Sequence, residues 1–331
     1  MVVYVDLSTI NNQFLLSMLI IALGFILKKL KLLSTEDGAG LSKLVINLTL
    51  PALILKTISN IELDFSLILL PFICFGLSMI ILILSYFTFK REKRHLKGIL
   101  LITSIGFNIG LFAYPLIEGI FGATGLVYVA MFDVGNAFLI FGICYTLASI
   151  FAPRNGDERI GESKGASNLK KSKLDKKYLI KRIFMNIPLI SYIVALIINL
   201  SIGGINESSF IFGFLDVISK ANEALVLVIL GVFLNFQIKK ENVKKILKVL
   251  IIRYGGGLGI GTILFVFLPF GELFRTIVLI SFILPIGMAV LPFSVQNNYD
   301  ENLQKLTGTL TNLTIVISFA LMWIIITLLN L

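Results

Sequence analysis

A few polar residues stand where an apolar chain has least use for them, and they are the ones able to do chemistry. Asn108 lies in Ile105-Gly106-Phe107-Asn108-Ile109-Gly110-Leu111-Phe112-Ala113-Tyr114-Pro115, in the middle of a long apolar run. Asn, Gly and Pro at bilayer depth each weaken a helix or free a backbone group that lipid does not satisfy. Such a break is tolerated where protein or a water-filled cavity surrounds it, and there it marks a transport site. The Asn108 side chain offers two donors and an acceptor without net charge, which suits contact with a carboxylate. The alternative is an Asn that only caps a broken helix end. A second break lies in Leu284-Pro285-Ile286-Gly287-Met288-Ala289-Val290-Leu291-Pro292. Pro115 and Pro292 suit the first turn of a second half-helix, where a missing N–H is harmless. Two half-helix N-termini at the midplane, each worth roughly +0.5 charge, favour an anionic substrate group.

Other candidates stand close by. Asp133 and Asn136 are one helical turn apart, about ten residues in from the expected outer end of their run. A carboxylate at that depth is costly, so Asp133 either binds a proton or cation, with Asn136 beside it, or pairs with Arg253. Glu223 is a third ion-coupling candidate, against a local pair with Lys220 on the same face. Glu118 is expected to be solvated. Gly255-Gly256-Gly257-Leu258-Gly259-Ile260-Gly261 lacks the strand and Lys-Ser/Thr of a phosphate loop. Gly255 with Gly259, and Gly257 with Gly261, read instead as small-xxx-small packing pairs. Cys74 and Cys144 have no metal spacing and read as buried packing residues. The only His is His95, and neither an HExxH pattern nor a nucleophile with its base is evident, so no enzyme and no cofactor is expected.

The elements that must position these residues are helices in a membrane. The chain has 331 residues, 57% hydrophobic and 15% charged, with a mean hydropathy of +0.95, too little polar surface for a soluble protein. Ten runs are long enough to span, at about 11–30, 38–59, 65–89, 96–120, 123–150, 183–203, 211–236, 246–269, 273–297 and 305–330. A polar loop, 151–182, separates five from five. The domains expected are thus a first five-helix repeat at 1–150, the basic loop at 151–182 and a second repeat at 183–331. Loops after odd-numbered spans hold 24 of the 29 basic residues. The positive-inside rule then puts those loops in the cytoplasm and both termini outside. The net charge of +10 is accordingly a topology signal rather than a sign of nucleic acid. An odd number of spans inverts the second half. An offset of 177 maps Asn108 onto Pro285, Gly110 onto Gly287 and Pro115 onto Pro292. The fold class expected is an all-α integral membrane protein with ten transmembrane helices, as two inverted five-helix repeats whose broken helices four and nine cross.

Several stretches resemble the auxin efflux carrier (PIN-type) family of membrane transporters. Leu41-Ser42-Lys43-Leu44-Val45-Ile46-Asn47-Leu48-Thr49-Leu50-Pro51-Ala52-Leu53 looks like its second-span motif, and Asn108 to Pro115 its fourth. Phe132-Asp133-Val134-Gly135-Asn136 is similar to the segment that follows, and Pro285-Ile286-Gly287-Met288 to the ninth-span motif of bacterial members. The resemblance runs over nearly the whole chain. It implies a ten-span inverted-repeat fold like that of bile acid symporters and sodium–proton antiporters, and transport of organic anions. Plant members export auxin, an indole carboxylate, and bacterial members are described as malate or malonate permeases. It also implies site roles for Asn108, Pro115, Pro285, Asn47 and Pro51. Two departures are Ala289, where many relatives carry Asn, and Ala113, where Gly is common. The reading is therefore a secondary transporter moving a small organic anion across the plasma membrane by alternating access. The alternative is an intramembrane enzyme or a channel-like protein. The partners expected are the anion, H+ or Na+ as coupling ion, and the lipid bilayer, without nucleic acid. A homodimer is one option for the oligomeric state.

Overall fold

The structure, a computed structural model, describes residues 7–61, 65–153, 187–235 and 239–329. The basic loop expected at 151–182 lies, from residue 154 on, outside the described residues. Among those described, the chain is helical throughout: α1 Leu7–Lys29, α2 Thr35–Ile58, α3 Phe65–Thr88, α4 Arg94–Ser104, α5 Ile109–Ile150, α6 Ile187–Ile202, α7 Phe210–Phe233, α8 Lys240–Phe267, α9 Glu272–Ser281, α10 Val290–Gln296 and α11 Glu301–Leu328. Six of them, α1, α2, α3, α5, α8 and α11, are long and apolar enough to cross a membrane. Helix α7 has 24 residues but carries Asp216, Lys220 and Glu223. The chain is an all-α membrane protein. Large apolar side chains lie on its surface, with Phe210, Leu200 and Phe267 at 88%, 75% and 77% exposure, as suits a protein surrounded by lipid.

Local chemistry explains most helix ends. Ser34 caps α2 in a capping box, its hydroxyl accepting from the Asp37 amide at 3.1 Å while the Asp37 carboxylate accepts from the Ser34 amide at 2.8 Å. Asp300 caps α11 through the Leu303 amide at 3.0 Å. At the other end of α7, the Lys28 ammonium donates to the Leu234 carbonyl at 3.2 Å, where a cation offsets the helix dipole. Helix α5 holds 42 residues because it turns within itself. Gly122, at φ 61° and ψ −158°, separates a first part up to Phe121 from a second that runs to Ile150.

Four five- or seven-residue π turns widen the helices: Val45–Thr49 in α2, Ile109–Ala113 and Phe138–Cys144 in α5, and Ile251–Gly255 in α8. Two are followed directly by the α segments that carry Pro51 and Pro115. A widened turn accommodates both the ring and the missing N–H of a proline inside a helix. The half-helix after the first break therefore starts at Ile109, a full turn earlier than Pro115 alone suggests. Pro292 does sit in the first turn of its half-helix, α10.

Helix α7 lies between α1 and α2, α3 packs on α5, and α8 packs on α9. The glycine run of α8 serves the last contact through one of its two expected pairs. A Cβ on Gly257 would stand 2.2 Å from the Phe282 carbonyl oxygen, and one on Gly261 2.8 Å from Leu279 Cδ1, whereas Gly255 and Gly259 meet nothing within 4 Å. We expect Gly257→Ala to force α8 from the end of α9 and lower the melting temperature, with Gly259→Ala close to neutral. Equal melting of the two purified variants would remove this contact from the packing. Cys74 and Cys144 are buried free thiols, as expected. The core falls into two clusters, one around α1, α2 and the middle of α5, the other around α4, the end of α5, α10 and the start of α11. Phe107 belongs to the first and Ile286 to the second, so the two breaks lie where the clusters adjoin.

Candidate functional site

The first break arises because Ile105 is extended (φ −123°, ψ 171°) and Gly106 takes φ 75°, which a side chain would resist. The second contains Pro285, which lacks an N–H and disfavours helix at Leu284. The two breaks meet. Phe107 and Ile286 form an antiparallel bridge, and the Asn108 amide donates to the Pro285 carbonyl at 2.8 Å.

Unpaired backbone groups at bilayer depth cost several kcal/mol each, so what satisfies the remainder decides whether the break can exist. Asn136 pairs with Phe107 as a neighbouring strand would. Its Oδ1 accepts from the Phe107 amide at 2.8 Å and its Nδ2 donates to the Phe107 carbonyl at 2.9 Å. In the other half, Thr314 Oγ1 accepts from the Ile286 amide at 3.1 Å, and Ser318 donates to the Ile283 carbonyl at 2.6 Å. Arg253 answers the carbonyls of both breaks. Its guanidinium donates to Ser104 at 3.3 Å, Gly106 at 2.7 Å, Leu284 at 2.8 Å and Pro285 at 2.9 Å. The residue is 1% exposed and stands over the Phe107 ring, 4.9 Å from its centroid. A fixed positive charge thus sits where the negative ends of α4 and α9 converge.

This placement decides against a pair of Asp133 with Arg253, one of the two alternatives that the sequence leaves open. Asp133 receives three neutral donors instead: Asn136 Nδ2 at 2.9 Å, the Tyr192 hydroxyl at 2.9 Å and the Tyr114 hydroxyl at 3.1 Å. The two hydroxyls also touch each other. The expected local pair of Lys220 with Glu223 is not formed either. Lys220 bonds Asp216 at 2.6 Å, as does Lys56, and Glu223 accepts from Gln13 at 2.8 Å. Glu118, expected in solvent, is half-buried.

Asn108 is 4% exposed. Its Oδ1 caps α5, accepting from the Leu111 amide at 3.3 Å, so the capping alternative accounts for half of the side chain. Its Nδ2 is buried with no partner. Ala289 holds the equivalent cap position of α10 and offers only a methyl there, so only one of the two N-termini has a capping side chain with a donor to spare.

Of the residues selected from sequence, Asn108, Pro285, Asn136 and Asp133 belong to one bonded network. Pro51 and Pro115 are buried behind the π turns, whose ends adjoin at Gly110 and Leu50. Asn47 and Pro292 are exposed, and Glu223 belongs to the separate contact with α1. The sequence offers Arg253 only as a partner of Asp133, and it does not single out Tyr114, Tyr192 or Thr314. Tyr114 adjoins Pro115 in the broken motif, and its place there is the signal that marks it. Tyr192 stands in an otherwise apolar helix and carries no local signal.

The sequence pattern of the family described as "Membrane transport protein" matches residues 12–326. The chain belongs to that family. It is the family that contains the auxin efflux carriers, as the motifs in α2, the broken segment and α5 led one to expect. Curated relatives agree with a transporter. The chain is 27% identical over 239 residues to an uncharacterized transporter of Methanothermobacter thermautotrophicus, across 70% of this chain and 71% of that protein. It is 30% identical over 132 residues to an uncharacterized transporter of Methanocaldococcus jannaschii, across 38% and 42% of the two chains. Family membership speaks for transport and against an enzyme.

Proposed function

We propose that this transporter is a secondary carrier for a small organic anion, such as a carboxylate, working by alternating access. The reading is carried by Asn108 Nδ2, buried and without an acceptor at the N-terminus of α5. An amide nitrogen only donates, and a helix N-terminus attracts negative charge. The group that completes the pair is an oxygen anion. The architecture that goes with this reading has ten spans. The first repeat comprises α1, α2, α3, the broken α4 with the first part of α5, and the second part of α5. The second comprises α6, α7, α8, the broken α9 with α10, and α11. Inversion is supported by the antiparallel bridge, whose local two-fold exchanges Phe107 with Ile286. It is also supported by the fifth helix of each half supplying the side chain, Asn136 or Thr314, that holds the bridged amide. Phe107 and Ile286 lie 179 positions apart and Asn136 and Thr314 lie 178 apart, so the register at the crossing is one to two residues longer than the proline spacing of 177.

Uptake of labelled monocarboxylates and dicarboxylates into proteoliposomes holding the purified chain tests the carrier. Saturable uptake of a carboxylate is expected. Uptake of amines or neutral solutes with no carboxylate flux would overturn the choice of anion. The orientation proposed, in the plasma membrane with both termini outside and the 151–182 loop cytoplasmic, has its own check. A cysteine replacing Ser167 in a Cys-free background should react with an impermeant thiol reagent only in opened cells, and labelling of intact cells would reverse it.

A further inference from the structure

We infer that the coupling cation is a proton held by Asp133 and that no metal cation takes this role, an inference that rests on the carrier reading above. Two sets of oxygens stand where a coupling ion would bind. The first is the cluster of carbonyls from Ser104, Gly106, Leu284 and Pro285. Unwound carbonyls and half-helix C-terminal ends are what coordinates ions in carriers with broken helices. Here Arg253 donates to all four, so a resident guanidinium fills that position.

The second is Asp133. One N–H and two O–H groups point their hydrogens at its oxygens, from Asn136, Tyr192 and Tyr114. A metal ion needs several oxygens turned towards it at once, and rotating the two hydroxyls still leaves Asn136 as a third neighbour that presents N–H. Asn136 turns its oxygen to such an ion only by releasing the Phe107 amide, to which that oxygen is bonded at 2.8 Å. A proton meets no such obstacle. It adds to Oδ2 from water and returns to water, and no bond between heavy atoms forms or breaks. A hydroxyl accepts as well as donates. One tyrosine therefore accepts from the new O–H and turns its own hydrogen to the other tyrosine, which it already touches. The titratable groups facing Asp133 are Cys74 of α3, Tyr114 on its own helix and Tyr192 of α6. Among the described residues, the helices packed on the Tyr114–Ala137 part of α5, namely α1, α2, α3, α6, α7 and α9, present no charged side chain to it.

The proton would be felt at the anion site through Asn136. Its Nδ2 donates both to Asp133 and to the carbonyl of Phe107, the residue before Asn108. Neutralising Asp133 replaces a charge-assisted bond by a neutral one of about half the strength, which frees Asn136 to shift on the break.

Infrared difference spectra of the purified chain, titrated in sodium chloride and in choline chloride, test this without any substrate. A failure of anion transport therefore leaves the result standing. A carboxylic acid band that titrates in the wild type, is lost in Asp133→Asn and shifts in Tyr192→Phe is expected, with the same midpoint in both salts. If Asp133→Asn does not fold, the shift in Tyr192→Phe assigns the band by itself. A competing sodium ion would lower the midpoint by roughly one pH unit at tenfold excess over its dissociation constant. Such a sodium-dependent shift, or the absence of any Asp133 band across the stable pH range, would overturn the inference.

Discussion

Arg253→Gln should be the most destabilising single change in this transporter, lowering stability by about 3–5 kcal/mol, as expected when a buried charged network loses its central member. The guanidinium makes four bonds to carbonyls that lipid does not hydrate, at 2.7 to 3.3 Å. Bonds to a charged group are worth roughly 1.5–3 kcal/mol each when one partner is removed, so a loss of this size does not require all four to count fully. Glutamine keeps two donors on a shorter stem and leaves the ends of α4 and α9 without their cation. Arg253→Lys retains the charge but not the planar fork, so it should fall between the two. Thermal unfolding of the three purified proteins measures this directly. Asp133 and Arg253 are not bonded to each other, so the double change Asp133→Asn with Arg253→Gln should not recover the stability lost in Arg253→Gln. Recovery of stability in the double variant would restore the ion pair that the structure replaces, and a wild-type melting curve for Arg253→Gln would show that the carbonyls need no cation.

The second large effect is on transport. Asn108 does two jobs with one side chain, and three substitutions separate them. Asn108→Ser keeps an oxygen to cap α5 but loses the amide donor, so folding should survive while carboxylate affinity falls. A bond to a charged group worth roughly 1.5–3 kcal/mol corresponds to about ten- to more than a hundredfold in affinity. Asn108→Ala should show the same loss and in addition about 1 kcal/mol of stability, the usual value of an N-cap. Asn108→Asp keeps the cap and sets a carboxylate against the incoming anion, so its affinity should be the lowest of the three. The ranking, read from concentration-dependent uptake in proteoliposomes beside thermal stability, distinguishes a substrate contact from a cap. Unchanged affinity in Asn108→Ser would leave Asn108 a cap and nothing more.

The sequence by itself determined that the chain is a helical membrane protein, that its middle contains two interrupted helices, and that it resembles a family of transporters. Those features are local or compositional. Apolar runs of about 20 residues have no stable place outside a bilayer, and Asn, Gly and Pro at bilayer depth announce a break wherever they fall. The cap at Asn108 and the prolines of the half-helices follow from the same near-neighbour rules. Only the tertiary structure decided which partner each buried polar group takes. Sequence places Asp133 and Arg253 at comparable depth, and opposite charges invite pairing. Nothing in the order of residues says that Arg253 stands instead against four carbonyls, or that Tyr192, on a helix 59 positions from Asp133, supplies a donor. Lys220 and Glu223 share a helical face and still choose Asp216 and Gln13. Glycines 257 and 259 look alike in the sequence, yet only the first meets another helix. These outcomes depend on how α5, α6, α8 and α9 are rotated and set against one another. Burial makes each unsatisfied donor or carbonyl cost several kcal/mol, so the packing that satisfies the most of them sets the partners.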